Sequence, residues 1–355
     1  MLKYFTGSLI FTALGLVAAV YSGWQTDHTV SAALSALFIV VVLGVLEVSL
    51  SFDNAVVNAT VLKNMDAIWR RRFLTWGIAI AVFGMRVVFP VVIVAVIAQI
   101  SPWTATVLAF TDPKEYARIL TEAHISVSAF GGAFLAMVGL KHFIDEEKDI
   151  HWIAWIERPL ARLGRVDSMQ IGLVLLLLYG VSTQVAPASA NEFLVSGMLG
   201  LITFIAVDSV SALMEVPADS AGNAVARSGL ASFLYLEVLD ASFSFDGVIG
   251  AFALTTNLVI IAIGLGIGAM FVRSLTILLV DRGTLTEYRF LEHGAFYAII
   301  ALGVIMFCQS FMHIPEVLTG LIGAAFIALS LWSSVRHNRA HPTPVEPPTS
   351  GTAGH

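Results

Sequence analysis

The sequence predicts an all-α polytopic membrane protein with about ten transmembrane helices and an inverted-topology repeat. Composition is the first reason: 57% of the 355 residues are hydrophobic and 12% are charged, whereas a soluble domain carries roughly 25% charged residues. The second is that apolar runs long enough to cross about 30 Å of hydrocarbon recur along the chain. The third is an acidic motif that occurs twice, in spans predicted to cross the membrane in opposite directions.

The predicted spans follow one another along the whole chain. They cover residues 5–23, 30–62, 73–99, 124–144, 168–186, 192–216, 229–256, 258–281, 291–311 and 316–335. The first has the look of a signal peptide, but because further spans follow at once we interpret it as a transmembrane helix. Pro90 and Pro187 are predicted to mark kinks or breaks in these helices.

The Lys and Arg residues of the loops predict the orientation, because positive residues are retained on the cytoplasmic side. With the N-terminus inside, only Lys114 and Arg118 fall in an outer loop. Both termini are therefore predicted to be cytoplasmic. The formal charge of -6 and the absence of a basic patch argue against nucleic acid as a partner, and the lone Cys308 excludes an internal disulfide.

The predicted organisation is one transmembrane domain over 1–335 and a disordered cytoplasmic tail over 336–355. Within the domain, the first repeat covers about 30–144, the second about 229–311, and linking helices lie within 168–216. Segment 145–167 mixes charges with Trp152 and Trp155, which predicts a helix along the inner membrane interface. The tail is rich in Pro, Thr and His and has too little apolar surface to fold.

The repeat rests on two matches in the same order. LEVSLSFD at 46–53 aligns with LDASFSFD at 239–246, and GIAIAVFGMR at 77–86 aligns with GLGIGAMFVR at 264–273. Ala129-Phe130 and Ala295-Phe296 form a fainter third match. The predicted topology makes the two copies antiparallel, and such inverted repeats are a recurring plan of secondary transporters, whose substrate site lies where the repeats meet.

Charged residues at membrane depth are functional candidates, since each costs several kcal/mol unless it is paired or faces water. The candidates are Glu47, Asp53, Arg86, Asp208, Glu237, Asp240, Asp246 and Arg273. Six acids against two arginines leave an excess of about four negative charges, which arginine pairing alone does not neutralise. Protons, bound cations or both are needed to balance the rest.

The residues around the acids suggest which cation would bind. Carboxylates lie beside the hydroxyls of Ser49, Ser51, Ser242 and Ser244 and the amide of Asn54. Such an all-oxygen set suits hard divalent ions such as Mn²⁺, Ca²⁺ or Mg²⁺. Neither Cys nor His accompanies the motifs, which disfavours a Zn²⁺ or Cu⁺ site.

Helical geometry predicts a break in the first motif. On an ideal helix Glu47, Ser51, Asn54 and Asn58 share one face, whereas Asp53 lies about 120° from Glu47. A break or unwound turn near Ser51 to Asn54 would bring the two acids together and release backbone carbonyls as ligands. Gly247 would ease the same break in the second motif.

Other readings of these residues stay open. We interpret Arg86 and Arg273 as residues that balance the charge of the motif acids. Alternatively, the acids could form purely structural salt bridges with these arginines. Asp208 and Glu237 could relay protons or could cap a polar network at the inner side. His142 has helical metal-ligand spacing to Asp145 and Glu146, but solvated polar residues are expected at that membrane boundary.

The motifs EVSLSFDNA and DASFSFDG resemble those of the TerC family of integral membrane proteins, named for tellurium resistance. Over most of 40–335 the chain is similar to a bacterial branch catalogued only as a domain of unknown function. The resemblance extends to the lysine-exporter-like superfamily of inverted-repeat carriers, whose better-understood members are implicated in manganese export. It implies a bacterial inner-membrane protein whose metal site comprises Glu47, Asp53, Asp240 and Asp246, with Asn54 as a neighbour. Gly247 replaces that asparagine in the second motif.

The expected function is export of a divalent metal ion, with Mn²⁺ favoured, by alternating access in exchange for protons. The metal and the protons are then substrates, and no permanently bound cofactor is expected. The alternatives are a carrier for another cation such as Ca²⁺, a tellurium-stress resistance factor, or an intramembrane metal-dependent enzyme. The enzyme reading lacks an HExxH or GxSxG motif. A transporter needs acids from both repeats at one site, whereas an enzyme needs one asymmetric cluster.

Overall fold

The computed structural model describes residues 2–77, 79–144, 150–163, 168–214, 221–312 and 314–340. All regular structure within these ranges is helical. The α-helices are α1 (Leu2–Asp27), α2 (Val30–Leu50), α3 (Phe52–Asn64), α4 (Ala67–Arg72), α5 (Phe89–Ile97), α6 (Pro102–Thr111), α7 (Pro113–Glu122), α8 (His124–Ile144), α9 (Ala154–Leu163), α10 (Met169–Ser182), α11 (Pro187–Met214), α12 (Ala221–Leu254), α13 (Leu258–Asp281), α14 (Thr284–Glu287), α15 (Leu291–Gln309) and α16 (Glu316–Ala340). Two π-helical segments, Phe73–Gly77 and Ile80–Val88, precede α5.

In the described part of the chain, eight helices are long and apolar enough to cross a membrane. They are Leu2–Gln25, Val30–Leu50, Ile80–Ile97, His124–Ile144, Pro187–Val210, Leu258–Asp281, Leu291–Gln309 and Leu318–Ala340. The shorter apolar helix α10 and the 34-residue helix α12, which carries the second acidic motif, lie where the other two spans are predicted but are not among these eight. The chain is a multi-pass, all-helical membrane protein, as the sequence predicts.

The first motif is broken at Ser51. α2 ends at Leu50 and α3 begins at Phe52, with Ser51 between them at φ −106° and ψ 16°. The predicted break near Ser51 to Asn54 is therefore confirmed. The break divides the predicted span 30–62 into two helices. The regular rotation of 100° per residue around the helix axis is therefore interrupted between them.

The second motif lies on an unbroken helix, so the prediction of a matching break beside Gly247 is wrong. α12 continues through the motif from Ala221 to Leu254. The reason for glycine at this position is close approach: a Cβ built on Gly247 would lie 3.1 Å from Oε2 of Glu47. The missing side chain makes room for the acid of the other motif.

The predicted span 73–99 contains the two π-helical segments. They are followed without interruption by α5, and Pro90, which has no N–H to donate, is the second residue of that helix, where the π-helical turns give way to α-helix. Pro187 likewise begins α11. π-helical turns occur often at functional sites. Here the second π-helical segment, Ile80–Val88, contains Arg86, the arginine of the first repeat that aligns with Arg273 of the second.

Glycines bring α13 against α2. A Cβ on Gly264 would lie 2.6 Å from Cβ of Leu43, and one on Gly268 would lie 2.4 Å from Cβ of Glu47. Small residues at a helix–helix contact let two backbones approach closely inside a membrane. On the other side of the molecule α8 packs against α11 and α15, and a Cβ on Gly139 would lie 2.3 Å from Ile300.

The segment 145–167, predicted to lie at the membrane interface, contains helix α9. Glu157 is buried and accepts hydrogen bonds from the Ile153 N–H, at 3.0 Å, and from the Tyr297 hydroxyl, at 3.2 Å, whereas Trp155 is exposed. Asp145 and Glu146, the proposed partners of His142, lie outside the described residues. α16 continues to Ala340, so the first residues of the predicted tail are helical, and 341–355 lie outside the described residues.

Candidate functional site

A buried polar cavity lies where the first motif, the second motif and the two arginine-bearing segments meet. Its walls come from α2, α3, the π-helical segments, α12 and α13. The lining residues are Glu47, Ser51, Asn54, Asn58, Phe73, Gly77, Ala81, Val82, Met85, Arg86, Asp240, Phe243, Ser244, Ala269, Val272, Arg273 and Thr276. About 50 Å³ is open to the centres of water-sized molecules, and one water needs roughly 10–15 Å³ by this measure. The cavity therefore has room for a few waters or a partly hydrated ion.

One wall of the cavity is the first motif. Glu47 comes from the last turn of α2, Ser51 from the break, and Asn54 and Asn58 from α3, and all four are buried. The Ser51 hydroxyl donates to Oε1 of Glu47 at 2.9 Å. The set predicted to share one face is thus on one side of the cavity despite the break.

The facing wall is the second motif. Oδ1 of Asp240 accepts two hydrogen bonds, from Nδ2 of Asn54 and from Nδ2 of Asn58, each at 2.9 Å. Asp240 belongs to α12, more than 180 residues along the chain from these amides. The first acids of the two motif copies therefore line the same cavity.

The contacts between the motifs are reciprocal. Asn54 and Gly247 hold matching positions, each directly after the second acid of its motif. Asn54 binds Asp240, the first acid of the other copy, and Gly247 leaves the space that Glu47 fills. Each copy thus contacts the first acid of the other through the same motif position.

Arg86 and Arg273 both line the cavity but have different partners. Arg86 forms a buried ion pair with Glu47 and also donates to the Ala81 carbonyl. Arg273 lies within electrostatic reach of Asp240 and Glu237, and its Cζ is 5.8 Å from the centre of the Phe73 ring. Nε and Nη2 of Arg273 are buried and make no hydrogen bond to any described residue.

Several acceptor oxygens of the cavity are buried without a hydrogen-bond donor in the described structure. They are Oδ1 of Asn54, Oδ1 of Asn58 and Oγ of Ser244, in side chains that are each at least nine-tenths buried. Because buried polar atoms nearly always have a partner, these oxygens indicate a site for water or a cation. Both Glu47 and Asp240 carry the negative charge that a cation would need.

Asp53 does not line this cavity, so the break at Ser51 does not bring Glu47 and Asp53 together as the sequence predicts. Its Oδ1 accepts the Asn54 N–H at 2.9 Å, and a Cβ built on Gly323 of α16 would lie 3.4 Å from its Oδ2. Since α3 restarts at Phe52, the Asp53 side chain turns toward α16 instead of toward Glu47. The side chain of Asp246, its match, lies outside the described residues. Across the side chains that are described, no three His, Cys, Asp or Glu residues are grouped to hold a metal.

The four motif serines divide into two pairs. Ser51 and Ser244 line the cavity. Ser49 and Ser242, also predicted to neighbour the metal, instead donate to carbonyls of their own helices, at Val45 and Val238. A residue two positions from Glu47 on a helix lies about 200° around it, which explains why Ser49 is exposed on the opposite side.

Asp208 and Glu237, the possible proton relay, lie in different surroundings. Asp208 forms an ion pair with Lys141, and both side chains are substantially exposed, so Asp208 lies away from the cavity. Glu237 lies one turn before Asp240 on α12 and is buried, and neither carboxylate oxygen has a hydrogen-bond partner among the described residues. A Cβ on Gly77, which lines the cavity, would lie 3.2 Å from its Oε1.

Two contributors to the site were not among the predicted site residues. Asn58 was placed on the face of Glu47 but was not assigned a role, although it binds Asp240 directly. Thr276 lies three residues after Arg273 on α13 and lines the same cavity. The i, i+3 spacing from an intramembrane arginine is the sequence signal that could have identified it.

Comparison with known proteins gives a family without an assigned activity. Residues 52–341 match the family model described as "Protein of unknown function (DUF475)". No curated protein and no solved structure matched the chain. Because the match covers most of the sequence, including the second acidic motif and both arginine segments, the chain belongs to the DUF475 family.

Proposed function

We propose that this chain is a divalent metal ion transporter of the bacterial inner membrane that exports Mn²⁺ in exchange for protons. One observation carries the proposal: Glu47 and Asp240, the first acids of the two motif copies, line one buried cavity. An intramembrane enzyme would need acids from one copy only. Two acids from two copies are what a carrier working at a repeat interface requires.

The donor atoms support a hard divalent cation. Two carboxylates are accompanied by the unpartnered oxygens of Asn54, Asn58 and Ser244. Oxygen ligands of this kind suit Mn²⁺, Ca²⁺ and Mg²⁺. The choice of Mn²⁺ rests on the resemblance of the motifs to the TerC family and the lysine-exporter-like superfamily, and Ca²⁺ is the alternative cargo.

Arg86 supplies the charge balance of the ion-free state. Its guanidinium neutralises Glu47 in the cavity, where an unpaired buried carboxylate would be costly. A cation that binds Oε1 of Glu47 competes with Arg86, because the guanidinium is paired with that oxygen. Because metal ligands must be deprotonated, release of the metal is linked to proton uptake by the vacated carboxylates. Glu237, one turn from Asp240 on α12, is the proposed partner in this proton transfer.

The helix contacts support an inverted repeat. In the proposed alignment α2 and α3 correspond to α12, the π-helical segments correspond to α13, and α8 corresponds to α15. α13 packs on α2 and α3, and the matching contact of the π-helical segments with α12 is also present. α3 contacts α15, and the matching contact of α12 with α8 is present too. The Lys and Arg distribution supports cytoplasmic termini.

Transport into vesicles tests the proposal. Purified protein in liposomes should take up Mn²⁺ when a proton gradient is imposed, and Glu47→Gln and Asp240→Asn should each lower the rate at least about tenfold. Asp208→Asn is the matched control, since Asp208 lies outside the cavity. If Glu47→Gln and Asp240→Asn both transport Mn²⁺ at the wild-type rate, the proposed site is wrong.

A further inference from the structure

A second, smaller cavity lies on the far side of Glu47. It is lined by Glu47, Leu50, Ser51, Phe243, Gly247, Leu302 and Thr319. Glu47, Ser51 and Phe243 line both cavities. The two spaces are therefore neighbours, and the Glu47–Ser51 turn together with the Phe243 ring separates them.

The two cavities extend toward opposite ends of the helices. Along α12, the first cavity uses Asp240 and the second uses Gly247, which is nearer the turn that joins α12 to α13. Along α13, the first cavity reaches Thr276, about 8 Å from the opposite end of that helix at 1.5 Å per residue. Thr319, in the second cavity, lies in the first turn of α16.

The carboxylate of Glu47 has one oxygen on each side. Oε1 pairs with Arg86, which lines only the first cavity, and it also accepts from Ser51, which lines both. Oε2 lies beside Gly247, which lines only the second cavity. One carboxylate can thus contact a cation in either space.

A separate open cleft lies nearer the same ends of α12 and α15 and shares no lining residue with the second cavity. Ile249 of α12 and Gln309 and Ser310 at the end of α15 are among its lining residues. Oε1 of Gln309, Oγ of Ser310 and Oγ1 of Thr319 are buried atoms without a hydrogen-bond partner among the described residues. Unpartnered oxygens are therefore present in the second cavity, at Thr319, and in the separate cleft, at Gln309 and Ser310.

We propose that the second cavity is the next position on the ion path after the first cavity. This inference rests on the proposed function. Glu47 passes the cation from the first cavity to the second, the Thr319 hydroxyl binds it there, and the Phe243 ring, which lines both cavities, forms the barrier between them. Gly247 is required because a side chain at this position would occupy the space through which the ion moves.

The size of the second cavity makes it selective. About 20 Å³ is open to the centres of water-sized molecules, which is room for roughly one water. A cation that passes must therefore leave most of its water behind. Mg²⁺ gives up its water reluctantly, so the second cavity favours Mn²⁺ over Mg²⁺.

Cysteine labelling tests the path. In a Cys308→Ala background, Thr276→Cys reports on the first cavity and Thr319→Cys on the second. Each is exposed to a charged, membrane-impermeant methanethiosulfonate from one side of the vesicle and then from the other. We expect reaction of the two cysteines from opposite sides, with Mn²⁺ slowing both. Reaction from the same side, or no reaction of Thr319→Cys from either side, would overturn the inference.

Transport by side-chain variants tests the roles of Gly247 and Thr319 separately. Gly247→Ala and Thr319→Val should each lower Mn²⁺ transport at least about tenfold at equal protein content, and Thr319→Ser should retain it. Gly172→Ala is the control, since a Cβ there meets no atom within 4 Å. Wild-type rates in Gly247→Ala and Thr319→Val would contradict the inference while leaving the proposed function intact. If wild-type protein moves no Mn²⁺, the proposed function fails, whereas labelling from opposite sides would still support the assignment of the two cavities to opposite sides of the membrane.

Discussion

The two copies of the acidic motif differ in backbone more than in sequence. LEVSLSFD is divided by a break at Ser51, whereas LDASFSFD lies on one continuous helix. Both copies nevertheless bring their first acid to the same cavity. The break turns Asn54 and Asn58 toward Asp240, and the continuous helix presents Gly247 to Glu47. The two copies of the motif therefore form two structurally different walls. The cavity is asymmetric, although Glu47 and Asp240 hold equivalent positions in the motif.

The two first acids are also balanced differently. Glu47 is neutralised by Arg86, whereas Asp240 is held by two neutral amides. In the proposed mechanism Asp240 is the first contact of an entering cation, because the cation need not displace a bonded arginine from it. Glu47 follows when Arg86 moves away.

The largest expected effect comes from breaking the Arg86–Glu47 pair. Arg86→Ala leaves a buried carboxylate without its partner, which typically costs about 3–5 kcal/mol of stability. If Glu47 binds the cation, Mn²⁺ should raise the unfolding temperature of Arg86→Ala by more than it raises that of the wild type. Thermal unfolding in detergent with and without Mn²⁺ measures both quantities.

Arg118→Ala is the control for that measurement, because Arg118 forms its ion pairs with Glu115 and Glu122 on the exposed surface. Such exposed pairs contribute little. Equal destabilisation of the two variants, or no additional protection of Arg86→Ala by Mn²⁺, would contradict the competition between arginine and cation.

An intermediate effect is expected from the amides that hold Asp240. Asn54→Ala and Asn58→Ala each remove a hydrogen bond to a charged group, worth about 1.5–3 kcal/mol. Both should also weaken Mn²⁺ binding, measured by titration calorimetry, because Oδ1 of each side chain faces the cavity. A variant that loses stability but binds Mn²⁺ with wild-type affinity would show that its amide is structural only.

A similar effect is expected where α13 meets Glu47. Gly268→Ala places a methyl group 2.4 Å from Cβ of Glu47, and overpacking of this kind typically costs about 1–3 kcal/mol. The same change at Gly180, where a Cβ meets no atom within 4 Å, should be neutral or stabilising. Thermal unfolding of the two variants compares them, and equal stability would show that α2 and α13 do not depend on this contact.

The smallest effects on stability and Mn²⁺ affinity are expected from the motif serines, and Ser51 and Ser49 should differ. Ser51→Ala removes the hydrogen bond to Glu47, which is worth about 1.5–3 kcal/mol when the acceptor is charged but can be replaced in part by water. Ser49→Ala should change stability and Mn²⁺ affinity little, since its hydroxyl only bonds its own helix. A larger loss of Mn²⁺ affinity in Ser49→Ala than in Ser51→Ala would reverse the assignment.

Much of this arrangement follows from sequence. Composition predicts the multi-pass helical fold, and residue spacing predicts the break at Ser51 and the shared face of Glu47, Asn54 and Asn58. The direction of Asp53 does not follow, because it depends on where α3 restarts and on the space that Gly323 leaves in α16. The continuity of α12 cannot be predicted from the sequence either. A glycine at position 247 is compatible with a helix break, and it is equally compatible with the close approach of Glu47 that the structure shows.

Direct detection of bound Mn²⁺ tests the central claim. The account predicts an anomalous-scattering peak in crystals grown with Mn²⁺, within ligand distance of both Glu47 and Asp240 and lost in Asp240→Asn. A peak at Asp53 or Asp208 with none between Glu47 and Asp240 would contradict it.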